Sequence, residues 1–392
     1  MKESTLVTIL GEHNESGLIL ANKYNFKSII ILTKEKQEED KALKLKEVYL
    51  SKNSNNNIDI VFKDYEKFIK ESKDHKLTIN LTLDNTLKAL KLLNLCSITG
   101  NYGVYVDITA KNEYWFNKDM EVLKEEPIDL DINDIFEASG NNIIAHECKY
   151  QKDECILELA KVIHNNLELW HKYKQRLYDN SLFEHDYMNS TLIHINKEGL
   201  DNEEKMLLEK ILKRLKELKL IEIEEDKKLH VKLLNEYIKG FIFKSGTWLE
   251  VLTESIVSEI ESVDEVKSGV VFLWNNDKNN IKNELDVVAV KDSTIVCISC
   301  KDSAKYDENA LNELEVYSNK IGGENAKKIL VATKQPLKAS VVDRAKEMDI
   351  YLVIVDNDIN IFKRTLESII NKKELKNNSW ALSHLVIIIL IL

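Results

Sequence analysis

Only 2 prolines occur in this chain of 392 residues. With the many Asn, Lys and Ile residues, that scarcity fits an AT-rich coding sequence and says nothing of function. The 5 cysteines are scattered, no amino-terminal signal segment is visible, and no long apolar run precedes the tail. Together these features point to a reducing cytoplasm. Neither a G-x-G-x-x-G run nor a Walker lysine motif is present, so ordinary dinucleotide or triphosphate binding is not supported. Nor is the chain basic: 55 Lys and Arg stand against 66 Asp and Glu, a net charge of −11. That balance is opposite to the usual one for a nucleic-acid binder, so phosphate contacts must come from local Lys-rich surfaces. The apolar end, Trp380–Leu392, is shorter than the about 20 residues a bilayer span requires. No membrane role is expected of it. It reads as an edge strand or a partner contact, and as an aggregation hazard if exposed.

The most informative stretch runs from Lys244 to Lys334. Gly246–Ile260 reads as a helix with Trp248, Leu249, Leu252, Ile256, Val257 and Ile260 on its inner stripe and Glu250 and Glu254 close beside it. Leu285–Val290 and Thr294–Ser299 are β-branched apolar runs separated by Lys291-Asp292-Ser293, a hairpin signature with strands buried on both faces. Residues two apart on a strand share a face, so Glu284 and Asp286 point the same way, as do Ser299 and Lys301. A carboxylate at the edge of an apolar hairpin is costly unless paired or bound to a metal. Two readings stay open. Asp286 and Lys301 form a structural ion pair, and Glu250 is an exposed helix residue; or the carboxylates hold a divalent cation while Lys301 positions a nucleophile. Cys297 and Cys300 form a C-x-x-C, but an offset of three on a strand sends the thiols to opposite faces, and no second pair completes a tetrahedron. Both side chains read as small core residues. A helix ending at Gly322-Gly323, a strand at 328–333, a helix at 339–347 and a strand at 350–355 complete an α/β unit with a mixed sheet.

The amino-terminal part alternates strands (6–10, 28–32, 58–62, 77–82) with helices (18–24, 38–50), the pattern of a doubly wound parallel sheet. Ligands of such sheets sit beyond the carboxyl ends of the strands. That selects the loops Gly11–Gly17 and Thr82–Lys88, which precede helices whose N–H groups suit an anion. A plain helix cap at Asp84 or Asn85 is the competing account of the second loop. In the middle, Gln151–Tyr178 reads as one helix carrying His164 and His171, neither assigned a metal. Asp201–Lys219 is an amphipathic helix, and Ile221–Val231 reads as two strands around a charged turn, a winged-helix-like arrangement. Lys210, Lys213, Arg214, Lys216 and Lys219 read as a solvated face more readily than as a phosphate contact.

The Gly-x-Trp-Leu-Glu250, Asn-Glu-Leu-Asp286 and x-Cys-Lys301 elements resemble the PD-(D/E)XK nuclease superfamily. Ser299 stands where that pattern carries Glu or Gln, so one metal contact is lost or replaced by Glu284, Glu250 or a backbone carbonyl. Asn80-Leu-Thr-Leu-Asp-Asn-Thr-Leu-Lys88 is similar to the Asn-x-Thr-Gly-Gly-(Thr/Asn)-Lys loop of CARF domains, with Leu83 and Asp84 in place of both glycines. CARF domain, helical linker and PD-(D/E)XK domain in that order resemble the cyclic-oligoadenylate-activated ancillary nucleases of CRISPR type III systems. The resemblance implies a Rossmann-like CARF domain (1–145), a winged-helix-like linker (146–238), an α/β restriction-endonuclease-like domain (239–375) and the tail (376–392). It implies catalytic residues Glu250, Asp286, Ser299 and Lys301, and a Mn²⁺ or Mg²⁺ shell from Glu250, Glu284, Asp286 and Cys300. Cyclic tetra-adenylate would meet Gly11, Glu12, His13, Asn14, Ser16, Thr82, Asp84, Asn85, Thr86 and Lys88 across a homodimer. The expected substrate is single-stranded, nicked or supercoiled DNA, RNA or both. A ligand-sensing regulator with a disabled nuclease domain is the alternative.

Overall fold

The computed structural model describes residues 5–33, 39–52, 58–72, 76–83, 85–146, 154–225, 228–243, 246–274 and 281–372. Asp84 and the apolar tail lie outside the described residues. The first sheet comprises β1 (Thr5–Ile9), β2 (Ser28–Thr33), β3 (Asp59–Asp64), β4 (Leu77–Asn80), β5 (Tyr102–Asp107), β6 (Asn112–Phe116) and β7 (Val122–Glu125). Its order is β3-β2-β1-β4-β5-β6-β7. The strands from β1 to β5 are parallel, and β6 and β7 add an antiparallel meander. Leu6, Ile29 and Ile31 face one core while Val7, Ile30 and Leu32 face another. Alternation along strands covered on both faces produces that division.

The first of these cores continues past the sheet. It runs through Ile132 and Phe136 of the helix Ile132–Ala138 to Phe272, Val288 and Leu311 in the carboxy-terminal part. Phe136 and Phe272 meet edge-on with centroids 5.4 Å apart. The next strand, β8 (Asn142–Ala145), forms an edge of the sheet built by the last third of the chain.

The middle segment holds a second, antiparallel sheet of β9 (Phe183–His185), β10 (Leu192–Ile195), β11 (Ile221–Glu225) and β12 (Leu229–Leu233), in the order β11-β12-β10-β9. The amphipathic helix Asn202–Glu217 opens on a capping box between Asp201 and Glu204, the reciprocal pairing that satisfies its first N–H groups. The single helix expected over 151–178 is instead two, Glu154–His164 and Leu167–Tyr173, followed by a 3₁₀ turn at Lys174–Tyr178. The break falls at Asn165-Asn166, where the Asn166 amide donates back to the Val162 carbonyl at 2.8 Å. Asn competes with the helix ladder in this way.

The last sheet adds β13 (Glu265–Leu273), β14 (Lys282–Lys291), β15 (Thr294–Lys301), β16 (Lys327–Ala332) and β17 (Ile350–Ile354), ordered β17-β16-β15-β14-β13-β8. It is mixed: β8, β13, β14 and β15 pair antiparallel, whereas β15, β16 and β17 are parallel. The β14–β15 hairpin turns through Asp292 and Ser293 at φ 49° and 60°, as a two-residue turn matched to strand twist demands. The Ser293 hydroxyl accepts the Leu130 N–H at 2.9 Å, and the Asp292 N–H donates to Asp264 at 2.7 Å. Val287, Ala289, Val296 and Ile298 pack toward Trp170, Trp248 and Leu252, with Val288, Val290, Ile295 and Cys297 on the opposite side. The middle module is thus fastened to the helix Thr247–Ser258 by one continuous apolar core.

Candidate active site and ligand loops

The helix Thr247–Ser258 begins after Gly246, whose φ of 120° is a conformation side-chain-bearing residues rarely adopt. The expected inner stripe is buried, Trp248 and Leu249 completely so. Glu250, in the first turn, is half-buried at the rim. In the adjoining sheet, β14 presents Asp286 half-buried between buried Leu285 and Val287. Gly269 faces it across β13, between the register pairs Ser268–Val287 and Val270–Leu285, with φ 55°. That kink is available to glycine without strain and interrupts the β13–β14 pairing opposite Asp286.

Asp286 is held by β15. The Cys300 N–H donates to its Oδ2 at 2.6 Å and the Ser299 hydroxyl to the same oxygen at 3.2 Å. The Lys301 ammonium lies 3.8 Å from that oxygen. Ser299, standing at the usual carboxylate position, therefore orients the remaining aspartate. Cys300 turns inward: its thiol lies 3.7 Å from the Thr253 hydroxyl. Burial pushes the thiol well above its ordinary value, and the charges of Asp286 and Glu250 add to the effect. A protonated, buried thiol is a poor ligand for a hard cation, which leaves Cys300 its main-chain carbonyl. Cys297 and Cys300 do face opposite cores. Glu284 is exposed on β14, two residues before Asp286.

Among the described residues, the trio of potential ligand atoms lying within 4.8 Å of one another is Asp129, Asp264 and Asp292, not Glu250, Glu284 and Asp286. Lys111 sits against that trio, 2.8 Å from Asp292 and 3.2 Å from Asp129. The Asp292 hydrogen bond leads in holding the Lys111 ammonium charged. The trio is compensated by a cation already present in the chain.

Sequence reasoning did not single out Asp302, the residue after Lys301. It is buried and accepts from the Trp170 indole at 2.7 Å, the Trp248 indole at 3.0 Å and the Thr333 hydroxyl at 3.0 Å. His171 Nε2 lies 3.2 Å and Lys174 Nζ 3.0 Å from its Oδ1. Burial alone would raise this carboxyl. The hydrogen bonds from His171, Trp170 and Trp248, with the Lys174 charge, outweigh burial and hold it well below the usual carboxylate range. Two tryptophans flanking a nuclease-like site, each needing a partner for a buried indole N–H, were the available signal.

In the amino-terminal sheet, the order β2-β1-β4-β5 puts the topological switch point between β1 and β4. The expected loops follow these two strands. Much of their polarity is turned inward. Asn14 Oδ1 accepts the Gly11 N–H at 3.0 Å and its amide donates to the Ala138 carbonyl at 2.9 Å. Asn80 donates to the Ser16 hydroxyl at 2.9 Å and accepts the Thr82 N–H at 3.0 Å. Asn85 caps the helix Thr86–Thr99 through the Lys88 N–H, and the Lys88 ammonium lies 5.2 Å from the Tyr65 ring centroid. Glu12 is exposed, while His13 packs against Gly323 near the end of the helix Glu308–Gly322. Thr82 opens on a cleft of about 540 Å³ shared with Asp107, Asn112, Lys291, Lys327 and Lys372. Gly11, Glu12 and Asn14 line a separate recess of about 80 Å³ with Lys41, Lys44 and Lys320. Both hollows lie where the first sheet meets the last.

The chain joins a doubly wound sheet through a helical module to a mixed sheet that carries Asp286, Lys301 and a helix-borne glutamate. Residues 238–372 match the family described as Card1-like, endonuclease domain. The recognition of a nuclease from the sequence is borne out there. No curated protein sequence matches the chain. In fold it is similar to protein VC1899 from Vibrio cholerae, at TM-score 0.73 and 16% identity over 93% of this chain and 97% of the other. It is also similar to Can2 from Sulfobacillus thermosulfidooxidans, solved with cyclic tetra-adenylate, at TM-score 0.67 and 15% identity over 94% and 100% of the two chains. Among the described residues, no helix is long and apolar enough to cross a membrane.

Proposed function

We propose that the protein is a cyclic-oligoadenylate-activated, metal-dependent nuclease of CRISPR type III defence, with cyclic tetra-adenylate as activator and DNA, RNA or both as substrate. The observation that carries the reading is the meeting of Asp286, Lys301 and the Glu250 helix inside a Card1-like endonuclease domain. The donor set suits Mn²⁺ or Mg²⁺: carboxylate oxygens of Asp286, Glu250 and Glu284 and the Cys300 carbonyl are hard ligands. Such an ion, when bound, lowers the pKa of a water and polarises the phosphoryl oxygen. The chain's own residues do the rest. Asp286 is aimed by the Cys300 N–H and Ser299 hydroxyl. Lys301 holds the attacking water and offsets charge on the scissile phosphate.

Support for the activator comes from Can2 and from the two expected loops, which follow β1 and β4 on either side of the switch point. A homodimer is part of the same reading, supported by the helix Thr86–Thr99, which follows the second ligand loop and exposes Leu87, Leu90 and Ile98. A second copy docked there would bring two loops to one ring-shaped ligand. The division at 145, 238 and 375 and a cytoplasmic setting belong to the same proposal.

The test is purified protein with labelled DNA and RNA, Mn²⁺ and cyclic oligoadenylates of each ring size. Cleavage should require the tetra-adenylate and vanish in Asp286→Ala; full activity in that variant refutes the assignment. One observation favours the alternative of a disabled nuclease that only binds nucleic acid: Ser299 replaces a carboxylate, and the remaining acids do not form a close trio. Ligand-dependent retention of DNA without hydrolysis would establish it.

A further inference from the structure

We infer that Asp302 is a positioning residue for Lys301 and Glu250, through which the helix Leu167–Tyr173 of the middle module governs the catalytic geometry. The inference rests on the nuclease reading for its activity arm. Asp302 is covalently next to Lys301. Thr333 grips both residues, its N–H donating to the Lys301 carbonyl at 3.1 Å and its hydroxyl to the Asp302 carboxylate at 3.0 Å. Trp248, whose indole donates to Asp302 Oδ2 at 3.0 Å, stands two residues before Glu250 in the first turn of the same helix. One carboxylate therefore fixes the strand end carrying the lysine and the helix start carrying the glutamate.

The middle module reaches the same carboxylate from outside the endonuclease domain. Trp170 donates to Oδ2 at 2.7 Å, while His171 and Lys174 approach Oδ1 at 3.2 and 3.0 Å. Trp170 is almost fully buried, so a shift of its helix has little slack to absorb it before Asp302 moves. A packed, charge-assisted contact of this kind transmits displacement in steps rather than gradually. Displacing a catalytic group by about 1 Å costs on the order of 100-fold in rate.

Trp170→Phe in the full chain removes the indole N–H and keeps most of the ring; Asp302→Asn removes the charge. Hydrogen exchange is measured first, on segments 247–252 and 299–303, with strand Ser28–Thr33 as the remote reference. The expected result is exchange at least tenfold faster in the two site segments and unchanged in the reference. Wild-type rates in the site segments, or equal acceleration everywhere, overturn the inference. In the cleavage assay Trp170→Phe should lower kcat roughly 10- to 100-fold, with KM and tetra-adenylate affinity within about threefold of wild type. An unchanged kcat overturns it. A wild type inactive with every activator sinks the nuclease reading instead and leaves the exchange result to decide this one. If Asp302→Asn does not fold, Trp170→Phe alone decides.

Discussion

Ser299→Glu places a carboxylate where the related nuclease pattern has one, and its effect can be worked out before any cleavage is measured. The Ser299 hydroxyl lies 3.2 Å from Asp286 Oδ2, so a glutamate carboxylate there would sit about 4 Å from Asp286. At an effective dielectric constant of about 20, two like charges at that separation repel by about 4 kcal/mol. The Lys301 ammonium, 3.8 Å from Asp286, and the partial exposure of both side chains reduce that figure to about 2 kcal/mol. Without metal, the variant should therefore melt about 2 to 3 °C below wild type, at an unfolding entropy of about 2.1 cal/mol/K for each of the 392 residues. A divalent cation reverses the balance, because the second carboxylate becomes a ligand. With Mn²⁺ at about 100 times its dissociation constant, binding contributes about 2.7 kcal/mol, so the variant should recover most or all of its deficit. The assay is differential scanning fluorimetry of both proteins across a Mn²⁺ series, with Ca²⁺ as a second hard cation. A variant as stable as wild type without metal, or one whose deficit Mn²⁺ leaves untouched, would refute the convergence of these side chains on a cation.

Asp302→Asn should destabilise the protein by about 3 to 5 kcal/mol at pH 7, because it leaves Lys174 and the other donors around a neutral group in a buried site. The Asp302 carboxyl is depressed in the fold, so its stabilisation is present above the ordinary value of 3.8 and is lost as pH falls below it. Urea titrations should show the gap between wild type and variant narrowing below about pH 4; a gap that widens there contradicts the assignment. Leu87→Lys with Ile98→Lys should convert a dimer to a monomer by light scattering while leaving far-ultraviolet dichroism unchanged; a wild type monomeric at tens of micromolar removes the proposed interface.

The hairpin and its surroundings were legible because they depend on local patterning. Leu285–Val290 and Thr294–Ser299 are β-branched runs with one short turn, and period two then fixes which side Asp286, Ser299 and Lys301 share. The Asp286–Lys301 proximity and the opposite facing of Cys297 and Cys300 followed from that alone. β5, β6 and β7 did not stand out because Tyr102–Asp107 and Asn112–Phe116 mix aromatic with acidic residues. Glu113, which would argue against a strand, is fully buried, with its Oε2 held by Lys23 at 3.1 Å and the Tyr24 hydroxyl at 2.7 Å. β13 and β8 escaped for another reason: β8 pairs across the whole middle module, a separation no local pattern reports. Asp302 is the same kind of case. Its meaning lies in Trp170, 132 positions away.

The edge pairing of β8 with β13 bears on how this chain can be divided. Residues 142–145 bond to Val271–Leu273, yet the endonuclease match begins at 238. A fragment cut at the match would leave the β13 backbone unpaired along part of its length, a template for association with other chains. Insolubility of such a fragment would report an orphaned sheet edge, and would say nothing about dependence on the amino-terminal sheet. Expression boundaries for the carboxy-terminal sheet should instead carry residues from 142 onward, so that the segment closing the sheet travels with it.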